Sequence, residues 1–330
     1  MAKKAKKPRK TYGQKWPEYN AAQVAEKAKF LRLLHELCQG VIEPPQPLGR
    51  PRLPVADMLF CMGLKVYTKF PARRSMSDLE VAYDRGFISR LPGYNTILNY
   101  FGMKDLTRYL EQLITESSLP LKAVERDLAV DSSGFSTSNF GRYVDLRYGK
   151  ADVIDRRKWI KVHLMCGVLT HIVTAVEVSK PNAGDSPYFK PLVEATDQNF
   201  DIREVSADKA YSSLANLRLV ADKKGMPYIP FKINAKPEHK SRDPLWTRMY
   251  HFYAYNEEWF KAHYHKRSNV ETTFSMIKEK FGTRLLSKTE IAQFNEVLCK
   301  VLCHNICVII QSMYELGIEP VFWNDEKKAS

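Results

Sequence analysis

The period of the hydrophobic pattern changes once along this chain, near residue 119, and that change restricts the fold more than any other feature. Before it, apolar residues recur at helical spacing over residues 55–70, 77–83, 95–101 and 106–114. After it, residues 127–132 alternate around Leu128 and Val130, and 159–168 and 172–178 are Val- and Ile-rich runs that read as strands. A helix over 186–197, a strand over 203–207, a helix over 213–224 and a strand over 228–231 follow. Two long helices, 264–281 and 288–316, end the pattern. Early strands, then alternation, then helices predict an α/β fold: a mixed sheet flanked by helices, preceded by a small all-helical region.

Residues 20–38 read as an amphipathic helix with Val24, Ala28, Leu31, Leu34 and Leu37 at helical spacing. Residues 42–54, with five prolines and Gly49, cannot continue it and read as a linker. Ser77 and Asn95 are candidate N-caps. The expected organisation is a basic flexible arm (1–18), a helix and Pro-rich linker (19–54), a helical region (55–120) and an α/β domain with C-terminal helices (121–330).

Charge points to a class of partner. Of 330 residues, 51 are Lys or Arg and 37 Asp or Glu, a net charge of +14. Residues 1–50 hold eleven Lys and Arg against four Asp and Glu, leaving +7 in under a sixth of the chain. Like charges repel and keep such a segment extended, and each cation that neutralises a phosphate releases a counterion, so the arm suits nucleic acid; a solubilising tail is the plain alternative. At 44% hydrophobic and 12% aromatic residues the chain is not wholly disordered. No stretch approaches the roughly 20 uninterrupted apolar residues of a membrane span, and the six cysteines contain no Cys-x-x-Cys pair. The expectation is a cytoplasmic, nucleoid-associated protein with no membrane partner.

Three features of the front half could touch DNA. Gly49-Arg50-Pro51-Arg52 partly matches minor-groove hooks, or is plain linker. The short helices around 77–83 and 95–101 could form a helix-turn-helix, presenting Asn95, Thr96 and Asn99 to bases and Arg73 and Arg74 to phosphates. A small helical bundle that binds nothing has the same pattern.

The chemistry is carried further on. Asp131 is expected to end the first strand and Asp208 the fourth, where open α/β sheets place their ligands. Two carboxylates brought together there repel unless a divalent cation lies between them; two unrelated solvated carboxylates are the alternative. On an ideal helix of about 100° per residue, Tyr264, Arg267, Glu271 and Lys278 share an arc of about 60°. Val270, Phe274, Ile277 and Phe281 fall on the adjacent arc, which can face the sheet. A salt-bridged solvent face would also fit that pattern.

These residues resemble the DDE transposases of bacterial insertion sequences, in the group with the Y-(2)-R-(3)-E-(6)-K signature. Tyr264, Arg267, Glu271 and Lys278 match every spacing, and residues 129–135 and 205–211 resemble the blocks around the first and second catalytic Asp. The separations, 77 and 63 residues, suit a compact ribonuclease-H-like core, and the likeness covers roughly 128–310.

The resemblance implies that Asp131, Asp208 and Glu271 hold two Mg²⁺ or Mn²⁺ ions for strand cleavage and strand transfer at the terminal inverted repeats. It also implies that Arg267 and Lys278 hold transposon-end phosphates, and that Tyr264 positions the backbone. Double-stranded DNA, as transposon ends and target, and a homodimer or larger synaptic complex are the implied partners. Better-known relatives carry a β-rich insertion between the second Asp and the Glu, with an aromatic that stacks a flipped base. Here residues 232–263 are short, and Trp246 or Trp259 either stacks a base or packs. Two other readings stay open: a catalytically silent DNA-binding regulator, and a metal-dependent nuclease that never joins ends. Cys299, Cys303, Cys307 and His304 read as one face of a buried helix, His163 as a structural histidine, and Lys209 as either a phosphate contact or solvated.

Overall fold

The computed structural model describes residues 15–46, 49, 51–137, 159–238 and 242–323; the basic run Lys3–Lys10 and Arg50 lie outside them. The front half is helical: α1 (Trp16–Gln39), α2 (Val55–Thr68), α3 (Met76–Asp84), α4 (Tyr94–Phe101) and α5 (Asp105–Ser118). The linker does more than connect. The Glu43 carboxylate accepts from the Val55 and Ala56 amides at 2.9 and 3.0 Å, capping the start of α2 where the helix leaves donors unpaired.

The sheet has the order β3-β2-β1-β4-β5, built from β1 (Asp127–Ser136), β2 (Trp159–Gly167), β3 (Val173–Ser179), β4 (Glu204–Ala207) and β5 (Met226–Tyr228). β1 to β3 form an antiparallel meander, and β4 and β5 join β1 in parallel. The parallel joins are crossovers through α6 (Ser186–Asp197) and α7 (Leu214–Asp222). The mixed α/β architecture expected from the pattern is the one observed.

Alternation along the strands serves two layers. Leu128, Val130 and Met165 face α6 and α7 with Phe189, Leu192 and Val220. Ala129, Val162, Leu164 and Cys166 face the other way, into a core shared with α10 (Ser268–Phe281) and α11 (Glu290–Glu315). Between the layers' edges lie α8 (Pro244–Tyr255) and α9 (Glu257–Tyr264).

α11 is long and apolar enough to cross a membrane, yet 78% of its most apolar window is buried, because α1, α2, α4 and α5 pack around it. The front helices and the sheet therefore share one continuous core. Cys299 and Cys303 lie fully within it, with the Cys303 thiol donating to the Gly63 carbonyl at 3.4 Å. The buried-helix reading of that cysteine run holds.

Several local expectations are corrected. In α1, Val24 is 90% exposed and Ala28 also faces out, since the buried stripe runs through Ala22, Phe30, Leu33, Leu34 and Leu37. Ser77 and Asn95 lie inside their helices, not at the caps, which fall at Ser75 and Gly93; Ser77 Oγ donates back to the Arg74 carbonyl at 3.2 Å. The connection from α3 to α4 spans residues 85–93, longer than the three or four residues of a helix-turn-helix turn. β5 begins two residues early, at Met226, because its parallel pairing with β4 starts there.

Candidate active site

Asp131 does not end β1. Pairing with β2 runs on through Ser136↔Trp159, and the Trp159 indole lies over Gly134, where a Cβ would sit only 2.8 Å from it. Asp131 thus stands in mid-strand, paired with Leu164 of β2 and one residue past the last β1–β4 pair, Val130↔Ala207. Asp208 immediately follows β4, as expected. The β1–β4 register runs from Asp127↔Glu204 to Val130↔Ala207, so Asp131 and Asp208 each directly follow the last paired residue, and the Asp208 charge acts on Asp131. In-register parallel neighbours project to the same face, here the face that α10 covers.

α10 delivers Glu271. Val270, Phe274, Ile277 and Phe281 are buried against the sheet as the helical arc predicts, leaving Glu271 on the rim with a side chain 56% exposed. One expectation fails: residues 264–281 are not a single α-helix. α9 ends at Tyr264, and His265–Arg267 form a 3₁₀ turn. Three residues at about 120° each turn Tyr264 roughly 60° further round than a continuous helix would. Its ring lies 5.9 Å from the Arg267 guanidinium.

Arg267 links the site. Nη1 donates to Asp131 Oδ2 at 2.5 Å and Nη2 donates to Glu271 Oε1 at 2.6 Å. The Ser132 amide donates to Asp131 Oδ1 at 2.8 Å, and the Lys209 amide to Asp208 Oδ1 at 2.6 Å. Burial raises the pKa of Asp131 from its ordinary value; the Ser132 amide and Arg267 oppose this, while the Asp208 and Glu271 charges add to it. Both other acids therefore act on Asp131 at short range. Among the described residues no three His, Cys, Asp or Glu side chains stand close enough to hold a metal ion as they lie; the guanidinium bridges two of the acids instead. Lys278 Nζ donates to Ser133 Oγ at 2.5 Å on the same face, its pKa lowered by burial.

Two networks that sequence reasoning missed hold this arrangement. On the opposite face, Asp185 accepts from Ser132 Oγ at 2.7 Å and pairs with Lys161 at 2.5 Å. His163 lies there too, not beside Asp131, because it pairs across from Ser132 and shares its face. It bonds Ser179 Oγ at 2.9 Å and stacks on Tyr188, so it is structural. Asp185 stands at the N-cap of α6 without capping it, a sequence position that does signal an acid but not its partner. The second network grips the 3₁₀ turn: Lys266 pairs with Asp127 at 2.8 Å and with Glu204, and His263 Nδ1 meets Glu204 Oε2 at 2.6 Å.

The remaining candidates are scattered over the surface. Arg73 lies 5.2 Å over the Tyr94 ring, which places it next to exposed Asn95 at the start of α4; Arg74 and Arg52 are exposed, and so is Lys209. Trp246 is 9% exposed and donates to the Lys236 carbonyl at 2.9 Å, so it packs, whereas Trp259 is 61% exposed.

The sheet thus carries Asp131 on β1 and Asp208 just after β4, with a third carboxylate, Glu271, on the helix that covers that face. A family model described as a transposase DDE domain matches residues 122–306, more than half of the chain, and the protein belongs to that family. Among solved structures, the chain is similar to the piggyBac transposase in a cryo-EM synaptic complex with hairpin DNA. That match has 10% identity and a TM-score of 0.40, over 92% of this chain and 75% of the other.

Proposed function

We propose that this protein is the transposase of a bacterial insertion-sequence type of element, cutting DNA at terminal inverted repeats and joining the freed 3′-OH to target DNA. The single observation that carries the reading is the β1–β4 register, which sets Asp131 beside Asp208 on the face where α10 supplies Glu271. The spacing of Tyr264, Arg267, Glu271 and Lys278 supports the Y-(2)-R-(3)-E-(6)-K group.

The donor set suits the metal that such chemistry uses. Three carboxylates offer the hard oxygens preferred by Mg²⁺ or Mn²⁺; burial is the main cause that raises the Asp131 pKa, and the Asp208 and Glu271 charges add a smaller repulsion that a divalent cation would relieve. When bound, two such ions activate the attacking water or 3′-OH and stabilise the leaving oxygen, so no protein nucleophile is needed. Asp131, Asp208 and Glu271 would hold them once Arg267 lets go of the carboxylates. Arg267 released in this way, with Lys278 and Tyr264 beside it, then faces the phosphates of the DNA end. Arg52, Arg73, Arg74 and Asn95 would add contacts away from the cut, and a synaptic complex needs at least two protomers.

The test is incubation with a plasmid carrying the element's flanking repeats, with and without Mg²⁺, followed by mapping of cut and joined ends. Cleavage with joining supports transposition. Cleavage without joining leaves a nuclease, and DNA binding without either leaves a regulator.

A further inference from the structure

A cavity of about 300 Å³ opens between the end of α2 and the segment that follows α10. Lys65, Lys69, Arg284 and Lys300 line it, with Glu296 as the one acid. Its carboxylate accepts from the Leu286 amide at 3.0 Å and the Ser287 amide at 2.7 Å, and lies 4.0 Å from Lys300 Nζ. Lys300 Nζ donates to the Gly282 and Arg284 carbonyls at 2.8 Å each, which shapes the cavity wall.

Lys65 is different. Its side chain is buried, at 6% exposure, and its ammonium makes no hydrogen bond or ion pair among the described residues, standing only 5.4 Å over the Phe101 ring. An ammonium at the end of a largely buried side chain, opening onto a cavity without a protein acceptor, suits an anion. Burial pushes the Lys300 pKa down to about 8, with the Glu296 charge opposing it and the Lys65 charge adding to it.

The backbone at the cavity rim is also unusual, though Lys224 shares its conformation. Lys69 ends α2 at φ +58, the left-handed conformation that helix ends usually assign to glycine. A lysine there accepts strain that glycine avoids, and its exposed side chain lies on the cavity rim.

We propose that this cavity is a second DNA-backbone site, in which Lys65, Lys69 and Lys300 hold a phosphodiester phosphate of the strand engaged at Asp131. The proposal rests on the DNA-cutting function above. The geometry matches a strand lying along α10. From Glu271 to Phe281 the helix rises about 15 Å, passing Lys278 on the way, which equals the axial rise of about four or five nucleotides of one strand. The far end of β1 is pinned at the same place, where the Leu285 amide donates to the Ser136 carbonyl at 2.7 Å.

The experiment measures binding of the full chain to an arbitrary-sequence duplex across a salt series, for wild type, Lys65→Met and Lys69→Gly. Methionine keeps the buried volume, and glycine relieves the left-handed strain, so Lys69→Gly should melt no lower than wild type and yet bind DNA more weakly. Each variant should make the slope of log K against log salt shallower by about 0.9. Unchanged slopes in both variants, with wild type still binding, overturn the site while leaving the function intact. A wild type that binds no duplex overturns both. Inorganic phosphate is the second probe: if it raises the melting temperature of wild type but not of Lys65→Met while the DNA slopes are unchanged, the cavity holds free phosphate and the assignment to DNA fails.

Discussion

Arg267 reaches Asp131 from the turn before α10, its Nη1 donating to Oδ2 at 2.5 Å, although 136 residues separate them. The same guanidinium holds Glu271. A guanidinium stays protonated at all working pH, so the acids meet a permanent cation, and under the proposed function a divalent metal would compete with Arg267 for the same oxygens.

Arg267→Met should therefore tighten Mn²⁺ binding while weakening cleavage. Unit charges about 4 Å apart at an effective dielectric near 20 interact by about 4 kcal/mol, so a gain of at least about tenfold in affinity is expected after screening. Calorimetric titration of Mn²⁺ into both proteins checks this, and equal or weaker binding by the variant contradicts the competition.

Asp131→Asn, Asp208→Asn and Glu271→Gln should each lower strand cleavage by about 10²-fold or more, the scale of losing several kcal/mol of metal-borne stabilisation. Each also removes a negative charge, so duplex binding should hold or improve. Gel assays of nicking and of mobility shift, run side by side, separate the two effects; full cleavage by Asp208→Ala would refute the site.

Asn305 should be the costliest polar residue in the core. Its amide donates to the Val173 carbonyl at 2.8 Å and accepts from the Val173 amide at 2.9 Å, and it also reaches Ile114 and Ser117, tying α11 and α5 to β3. Asn305→Ala leaves buried backbone groups without partners, at about 1–3 kcal/mol each. Urea unfolding should show a loss of roughly 2–4 kcal/mol, with the m-value unchanged.

Stability should fall as pH drops from about 6.5 towards 4. Burial, the leading cause in both, pushes His163 and His304 down to about 4, with the nearby Asp185 charge opposing it at His163 and the His171 carbonyl opposing it at His304. The unfolded chain takes up protons at both near pH 6.5 while the folded chain does not, so the stability present above that pH is lost on acidification. Each histidine contributes at most about 1.4 kcal/mol per pH unit. Urea midpoints between pH 7.5 and 4.5 should slope less steeply in a His163→Asn, His304→Gln variant than in wild type.

How much of this was legible beforehand depended on the range of the interaction involved. Helix and strand periods come from neighbours within a few residues, so α6 was expected at its observed limits and the buried stripe of Val270, Phe274, Ile277 and Phe281 was expected as such. The errors have different causes. Ser77 bonds locally, back to the Arg74 carbonyl, whereas the 3₁₀ turn that breaks the 264–281 helix is held by tertiary contacts such as the Lys266 grip on Asp127, which outweigh local propensity.

The sequence by itself determined the sheet with its flanking helices, the basic character of the chain, and the three acids with the spacing that singled them out. Only the tertiary structure decided that Asp131 lies in mid-strand, that His163 turns away from it, that Asp185 and Ser132 support it from behind, and that Arg267 joins Asp131 to Glu271. The reason is physical: a strand's period states which residues share a face, but the neighbour across a sheet is chosen by pairing between segments 77 residues apart, through contacts that leave no local pattern.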